Sequence, residues 1–262
     1  VSLHFGGSSN ENLNLIVALR LTDLVESSKL KSHSKFQMNQ YWKLSTKAVC
    51  AGRNYVAHAR ELSNPLPANP FFFIKPTTSF LPYNDVPLGG ISGDMNKIEY
   101  PKDASLHHEL ELCVIIGEKT KNVSEKDALS KVAGFAIGLD MTLRDVQDAQ
   151  KAKSLPWTPA KAFDTSLGLG PFILSTDIPN PNDLELWLTV DGEIKQAAST
   201  SLMIFNVQRL ISDASKITTL MPGDIVMTGT PEGVGQVMSG AVIKAGIKGM
   251  PSADCEFTVM SV

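Results

Sequence analysis

Two glutamates separated by a single residue have the clearest chemical consequence in this sequence. Glu109 and Glu111 stand in the segment 107–112, HHELEL. Side chains alternate between faces along a strand, so both carboxylates would project to the same side. Carboxylates this close repel each other, and a hard divalent cation such as Mg²⁺ or Mn²⁺ would remove the repulsion. A solvated acidic face on an edge strand would explain the same pattern, so the pair alone does not distinguish a metal site from an exposed acidic strand.

A third carboxylate, that of Asp140, ends the apolar segment Val132–Asp140, VAGFAIGLD. Such a segment predicts a buried strand, whose end would hold the carboxylate at the edge of a sheet. We predict that Asp140 joins Glu109 and Glu111 as a third ligand of the ion. Capping of the helix that follows is the alternative role for Asp140.

A histidine and a glutamate three residues apart, His58 and Glu61, follow a predicted strand. On a helix they would share a face. A carboxylate against one imidazole nitrogen fixes the tautomer and makes the other nitrogen more basic, which suits a general base acting on water. An exposed helical ion pair is the alternative. Arg53, at the junction of strand and helix, is a candidate for binding a substrate carboxylate, or else a surface residue.

Further polar side chains lie in positions that suit an anionic substrate. Lys161 follows a mostly apolar stretch, where its charge would neutralise a carboxylate or a developing enolate. Arg144 and Gln147 share one face of the predicted helix after Asp140, and all three side chains would otherwise be solvated surface residues. The loop Gly229–Gly235 offers backbone N–H groups to an anion but has neither the P-loop nor the dinucleotide motif. A tight structural turn is its alternative.

The elements that must position these residues are mostly short strands joined by turns. The dipeptide Asp191-Gly192 after an alternating segment predicts a hairpin. No internal repeat interrupts the pattern, and we predict a single α+β domain with a large mixed sheet. Strands are predicted over Lys47–Gly52, Phe71–Ile74, Glu109–Gly117, Val132–Asp140, Leu184–Val190, Asp224–Thr228, Val242–Ile247 and Glu256–Val259, and helices over Tyr55–Leu62, Leu143–Lys153 and Val207–Lys216.

Composition excludes several classes of protein. With 43% hydrophobic and 19% charged residues among 262, the chain is globular rather than disordered. A net charge of −3 with mixed signs gives no nucleic-acid footprint, and no apolar run reaches the ~20 residues of a membrane-spanning helix. Cys50, Cys113 and Cys255 have no paired spacing and are expected to be free thiols. Residues 1–40 are expected to form a separate extension, in which Arg20 is the only arginine, so a targeting role is not resolved.

Six motifs, taken in order, resemble the fumarylacetoacetate hydrolase superfamily, and in particular its short acylpyruvase branch, whose members also act on oxaloacetate. The resemblance runs from Tyr41 to the C-terminus and leaves only the extension uncovered. Departures lie in an insertion-like stretch near Leu88–Lys97 and in residues 163–165. The motifs are GRNYxxHxxE from Gly52, FxKP from Phe73, SLHHELEL from Ser105, GLDMTxRDVQ from Gly138, LPWTxAK from Leu155 and GDIVMTGTPEGVG from Gly223.

This resemblance implies a mixed β-sandwich roll over residues 41–262, usually as a homodimer, with Mg²⁺ or Mn²⁺ bound by two glutamates and one aspartate. The implied roles fall on residues of the same motifs. They are metal binding by Glu109, Glu111 and Asp140, a lid pair of His58 and Glu61, an active-site lysine at Lys161, and substrate binding by Arg144, Gln147 and Thr230.

The implied function is a divalent-metal-dependent enzyme acting on small 2-oxo acids through a metal-stabilised enolate. Water activated by His58 and Glu61 would hydrolyse the C–C bond of acylpyruvates, whereas oxaloacetate would be decarboxylated or tautomerised. A 2-oxo-alkenoate hydratase or isomerase of the same superfamily, or a metal-binding protein without catalysis, are the alternatives. Relatives in eukaryotes imply a mitochondrial location, with the cytoplasm as the alternative.

Overall fold

A computed structural model describes residues 40–262, and strands are the main regular secondary structure in this part of the chain. The predicted extension 1–40, with its apolar segment Leu13–Val25, lies outside the described residues except for Gln40. The strands are β1 Ala48–Ala51, β2 Phe72–Lys75, β3 Phe80–Pro82, β4 Lys97–Tyr100, β5 Leu106–His108, β6 Leu110–Ile116, β7 Val132–Asp140, β8 Thr142–Leu143, β9 Leu167–Leu169, β10 Ile173–Leu174, β11 Glu185–Val190, β12 Glu193–Ser199, β13 Ile225–Met227, β14 Gly235–Gln236, β15 Val242–Ile247 and β16 Met250–Ser261. The helices are α1 Val56–Glu61, α2 Glu125–Ala128, α3 Arg144–Ala152, α4 Thr158–Lys161 and α5 Val207–Ile217.

Three sheets contain these strands, and the mixed-sheet α+β fold predicted from the sequence is confirmed. An eight-stranded sheet runs β2-β1-β13-β6-β7-β9-β3, with β10 added beside β7. A five-stranded sheet runs β12-β11-β15-β16-β4, and a three-stranded sheet runs β14-β5-β8. In the part of the chain that is described, no helix combines the length and apolar character needed to cross a bilayer.

Local chemistry accounts for the elements that the sequence predicted best. All nine residues of β7 are buried, which explains why their continuous apolar run predicted both ends of the strand correctly. The hairpin β11–β12 turns at Asp191 and Gly192, whose φ angles of 51° and 83° are those of a type I′ turn. Helix α5 begins where the Asn206 side chain accepts a hydrogen bond from the Arg209 N–H at 2.8 Å.

One strand was predicted over Glu109–Gly117, and in the structure β6 spans Leu110–Ile116, while Glu109 lies between it and a separate short strand, β5. Strand β5 ends at His108 because it pairs with β8 and β14, whereas β6 begins at Leu110 because it pairs with β7 and β13. Glu109 is therefore the junction between the small sheet and the large one. The sequence pattern alone does not show that the strand-pairing partners change at Glu109.

One edge of the large sheet gathers the chain segments that hold the predicted site. β1 is parallel to β13, while β6 is antiparallel to both β13 and β7. The carboxyl ends of β1, β7 and β13 therefore meet the amino end of β6 at the same edge. The segments that leave this edge are those with Arg53, Asp140, Thr230 and Glu109.

A buried carboxylate, that of Asp224, holds the starts of β1 and β13 together and gives a prediction about stability. Its Oδ1 accepts hydrogen bonds from the Thr46 N–H at 2.7 Å and the Lys47 N–H at 3.2 Å, and its Oδ2 lies 2.5 Å from Lys47 Nζ. Asp224→Ala removes this buried acceptor and with it the link between the two segments. We expect it to lower the free energy of unfolding by about 3–5 kcal/mol, measured by urea denaturation.

The control is an exposed ion pair of the five-stranded sheet, Lys244 and Glu256, whose charged groups lie 2.9 Å apart. Glu256→Ala is expected to change the same free energy by less than about 1 kcal/mol. Equal losses in the two variants would contradict the role given to Asp224.

Candidate metal centre and substrate cleft

The three predicted carboxylates converge in the structure and are almost inaccessible to solvent. Glu109, Glu111 and Asp140 are 6%, 1% and 1% exposed. Each offers an oxygen atom, and these atoms all lie within 4.8 Å of one another. The backbone sets this geometry, since the Asp140 N–H donates to the Glu109 carbonyl at 2.8 Å across the β6–β7 pairing. An arrangement of this size and donor type can hold one divalent cation.

Glu111 shows most directly that the group suits a cation. Its Oε2 accepts the Gly229 N–H at 2.7 Å. Among residues 40–262 no basic side chain lies within salt-bridge distance of this carboxylate. Burial raises the pKa of Glu111 well above its ordinary value, and the charges of Asp140 and Glu109 raise it further. A buried carboxylate without a counterion is costly, and a metal ion would supply the missing charge.

The other two carboxylates already face positive charge. Glu109 forms an ion pair with Arg144 and accepts from Lys161 Nζ at 2.8 Å. Burial by itself would raise the pKa of Glu109, but Lys161 and then Arg144 more than offset it, so the pKa is lowered. Asp140 Oδ2 lies 2.7 Å from Lys161 Nζ. Its Oδ1 is 2.9 Å from Lys75 Nζ, but the approach lacks hydrogen-bond geometry, which leaves this oxygen free for a further partner.

Two buried lysines occupy the centre of the site. Lys161 Nζ donates to Glu109, to Asp140 and, at 2.6 Å, to Thr142 Oγ1. Desolvation would lower the pKa of Lys161, but the charges of Asp140 and Glu109 raise it overall, so the amine stays protonated. Lys75 is wholly buried and donates to Ser166 Oγ at 2.9 Å. The sequence argument gave Lys75 no role, although it stands in the FxKP motif.

The predicted histidine–glutamate pair is assembled on α1. His58 Nδ1 lies 3.3 Å from Glu61 Oε2, and His58 is 5% exposed. The other oxygen of Glu61 accepts the Gly233 N–H at 3.1 Å, which ties the helix to the loop after β13. Burial lowers the pKa of His58, and nearby Glu109 and Glu61 offset only part of that effect. The imidazole is therefore neutral near pH 7 and able to accept a proton.

A cleft opens above the carboxylates, and most predicted site residues line it. Glu61 and Glu111 do not, because the first lies behind His58 and the second is held against Gly229. Lys151, one turn after Gln147 on α3, also lines the cleft and was not predicted. The predicted residues in the wall are Arg53, His58, Glu109, Asp140, Arg144, Gln147, Lys161 and Thr230.

The mouth of the cleft is aromatic and positively charged. Arg53 lies over the ring of Phe71 at 5.5 Å, and Lys151 lies over that of Trp157 at 5.7 Å. The two rings pack edge to face with their centroids 5.9 Å apart. Arg53 has a φ of 55°, a left-handed conformation that directs this junction between β1 and α1. Both cations are placed to attract an anionic ligand into the cleft.

Deeper in the cleft, Arg144 and Gln147 hold each other in place. Arg144 Nη1 donates to Gln147 Oε1 at 2.6 Å, while Nη2 is paired with Glu109. With its oxygen engaged, Gln147 has its amide N–H groups left for a ligand. The Arg144 Nε atom has no protein partner among the described residues. These donors suit an oxygen-rich substrate.

Comparison with known proteins agrees with this geometry. The family model for the fumarylacetoacetate (FAA) hydrolase C-terminal domain matches residues 47–258. A mitochondrial oxaloacetate tautomerase of Oryza sativa subsp. japonica is 50% identical over 215 residues, which cover 82% of this chain and 91% of that protein. A mitochondrial oxaloacetate decarboxylase of Dictyostelium discoideum is 46% identical over 224 residues, covering 85% and 98%. The crystal structure of fumarylpyruvate hydrolase from Pseudomonas aeruginosa in complex with Mn²⁺ and pyruvate is 35% identical, with a TM-score of 0.75 and coverage of 83% and 91%.

Proposed function

The chain belongs to the fumarylacetoacetate hydrolase family, and from that premise we propose that it is a divalent-metal-dependent enzyme that tautomerises or decarboxylates oxaloacetate. Two relatives at 50% and 46% identity are named for these reactions. Both reactions pass through an enolate at C3 of the substrate. They differ in whether a proton or CO₂ leaves that carbon.

The charge balance of the buried site is the observation that carries this proposal. Three carboxylates face three cationic side chains, those of Lys75, Lys161 and Arg144, so the charges of the protein groups cancel when all three carboxylates are ionised around a metal ion. A divalent cation would bring the centre to +2. Oxaloacetate is a dianion and would restore neutrality, whereas a simple acylpyruvate such as acetylpyruvate carries a single negative charge. Charge matching inside a low-dielectric site therefore favours the dicarboxylate.

Glu109, Glu111 and Asp140 are the residues we assign to the metal. All three offer only oxygen, which suits Mg²⁺ and Mn²⁺ and disfavours softer ions. The fumarylpyruvate hydrolase neighbour holds Mn²⁺. When bound, such a cation supplies Lewis acidity that draws electron density from the 2-oxo group of the substrate.

The protein side chains have distinct tasks in the proposed mechanism. Lys161 and Arg144 neutralise negative charge that develops on the substrate oxygens. Gln147 and Thr230 orient the substrate by hydrogen bonds, and Arg53 at the mouth binds the distal carboxylate. His58, neutral and backed by Glu61, removes the C3 proton in tautomerisation and returns it to oxygen.

Hydrolysis of acylpyruvates is a second activity that the same site supports. His58, hydrogen-bonded to Glu61, would activate water to attack the distal carbonyl group. The neighbour of known structure is a fumarylpyruvate hydrolase. The C–C bond then breaks to give a carboxylic acid and the enolate of pyruvate, which Lys161 stabilises.

His58→Ala separates these reactions. Tautomerisation and hydrolysis need a base in the rate-limiting step, so both should fall by about 10²- to 10⁴-fold. Decarboxylation releases CO₂ before any proton is delivered, so it should change by less than about 10-fold. Enol–keto conversion, acetylpyruvate cleavage and CO₂ release, each measured with Mg²⁺ or Mn²⁺ and with EDTA, give the three rates.

Arg60→Ala is the matched control, because Arg60 is an exposed residue on the same helix. It should leave all three rates unchanged. An equal loss of all three rates in His58→Ala would show a general effect on binding rather than a base. Turnover of a 2-oxo-alkenoate but not of oxaloacetate would favour the hydratase or isomerase alternative, and no turnover of any substrate would favour a metal-binding protein without catalysis.

We further propose that residues 41–262 form one catalytic domain, that the protein is a homodimer and that it acts in the mitochondrion. The family model covers 47–258, and both named relatives are mitochondrial proteins. Light scattering of the purified chain and imaging of a tagged full-length protein would test the last two points.

A further inference from the structure

We propose that Gln196 is a positioning residue, which turns the hydroxyl hydrogen of Thr230 toward the substrate. The inference rests on the proposed function, because it assumes that the cleft binds a 2-oxo acid. Gln196 belongs to β12 of the β11–β12 hairpin and does not line the cleft. The side chain is nevertheless only 1% exposed, because it reaches inward between two segments of the site.

The amide of Gln196 connects the strand of the metal carboxylates with the loop of Thr230. Its oxygen accepts the N–H of Leu110, between the two glutamates, at 2.9 Å, and faces His108 Nδ1 at 3.0 Å. Its nitrogen donates to Thr230 Oγ1 at 2.9 Å and to the Pro231 carbonyl at 3.0 Å. The bonds come from both ends of one short, planar group.

These partners fix which end of the amide is oxygen and which is nitrogen. The Leu110 N–H can only donate, so it must face the amide oxygen. The Pro231 carbonyl can only accept, so it must face the amide nitrogen. A flipped amide would place two donors together at one end and two acceptors at the other. Thr230 Oγ1 is consequently an acceptor from Gln196.

An accepting hydroxyl keeps its own hydrogen for another partner. Within residues 40–262 the hydroxyl of Thr230 donates to no protein group, and Thr230 lines the cleft. The hydrogen is thus left for a carboxylate or oxo oxygen of the substrate. A hydrogen bond from Gln196 also polarises the hydroxyl and strengthens it as a donor.

The test is a double-mutant cycle with Gln196→Met and Thr230→Val, both close in size to the native residues. Pyruvate is the probe for binding in the presence of Mn²⁺, and oxaloacetate is the probe for KM and kcat. We expect each single variant to weaken pyruvate binding and to raise KM by about 10-fold or more. Because both residues act through one hydroxyl, the double variant should bind pyruvate no more weakly than the single variant with the lower affinity.

Two outcomes would overturn the proposal: losses that multiply in the double variant, or Thr230→Val binding pyruvate as tightly as the native protein does. If Gln196→Met fails to fold, Gln196→Glu is the second variant, since it keeps the acceptor for Leu110 but removes the amide N–H groups. It should show the same loss of pyruvate binding, and native affinity would count against the proposal. A native protein that neither binds pyruvate nor turns over oxaloacetate would instead contradict the proposed function itself.

Thr200 provides a control for a purely structural effect. It is buried directly after the same strand, where its hydroxyl donates to the Pro181 carbonyl at 2.9 Å and accepts the Leu184 N–H at 2.9 Å. Thr200→Val should lower the melting temperature but leave pyruvate affinity and KM unchanged. If Thr200→Val lost as much pyruvate affinity as Gln196→Met, both variants would act only by loosening the hairpin, and the role of Gln196 would be refuted.

Discussion

Replacing Glu111 with glutamine is expected to abolish metal-dependent turnover of oxaloacetate without destabilising the metal-free protein. Of the three carboxylates of the metal site, Glu111 is the one with no basic partner among the described residues, and its neighbours Asp140 and Glu109 repel its charge. A glutamine at this position can still accept the Gly229 N–H but carries no charge to desolvate. The metal-free variant should therefore be as stable as the native protein or more stable, while its activity falls by about 10³-fold.

Metal binding itself provides the measurement, separately from activity. A ligand at 100 times its Kd stabilises the folded state by about 2.7 kcal/mol, so Mn²⁺ should raise the melting temperature of the native protein clearly. Glu111→Gln should lose most of that response, and calorimetric titration should show a much weaker Kd for Mn²⁺.

A second buried carboxylate gives the matched control for this experiment. Glu99 is 5% exposed, and its oxygens accept the backbone N–H groups of Ile91 and Ser92 in a loop that does not line the cleft. Glu99→Gln should cost stability but keep the full response to Mn²⁺. If Glu111→Gln retains the native melting-temperature shift, then Glu111 is not a metal ligand.

The sequence was most informative where one segment determines its own surroundings. The apolar run of β7 predicted a buried strand with Asp140 at its end, and the His58–Glu61 spacing predicted a pair that needs only one helical turn. Asp191-Gly192 predicted the hairpin for the same reason, since the turn conformation depends on those two residues. Local patterns are sufficient when the interactions they encode are local.

Contacts between distant segments could not be predicted in this way. Lys75 reaches Asp140 across 65 positions of sequence, and Gln196 reaches Thr230 across 34. Gln196 stands in a strand whose neighbours are mainly exposed, so its pattern predicts a solvated side chain. The break at Glu109 likewise arises from strand pairing with remote partners. These features depend on the fold as a whole, and only the motif resemblance pointed toward Lys75.

The charge balance of the site depends both on residues that the sequence predicted and on Lys75, which it did not. Counting only Lys161 and Arg144 against three carboxylates and a divalent cation leaves +1, which suits a monoanion. Lys75, found from the structure, raises the total to +2 and favours a dianion instead. One buried lysine thus changes the substrate that electrostatics selects.

Lys161→Met is expected to have the second large effect, on activity and stability together. Lys161 Nζ bridges Glu109 at 2.8 Å and Asp140 at 2.7 Å, so its removal leaves two buried carboxylates without their shared cation. Losing one member of a buried ion pair costs about 3–5 kcal/mol, and losing a group that stabilises the enolate costs about 10²- to 10³-fold in kcat. Urea denaturation without metal and kcat for oxaloacetate measure the two effects.

Metal should compensate for the missing charge in the folded state but not in the reaction. Mn²⁺ is expected to stabilise Lys161→Met by more than it stabilises the native protein, because the ion replaces part of the positive charge that Glu109 and Asp140 have lost. The kcat should stay low, since no protonated amine remains beside the enolate. Lys153→Met, at an exposed lysine after α3, should match the native protein in both measurements. A smaller stabilisation by Mn²⁺ in Lys161→Met than in the native protein would mean that Lys161 helps to form the metal site rather than balancing its charge.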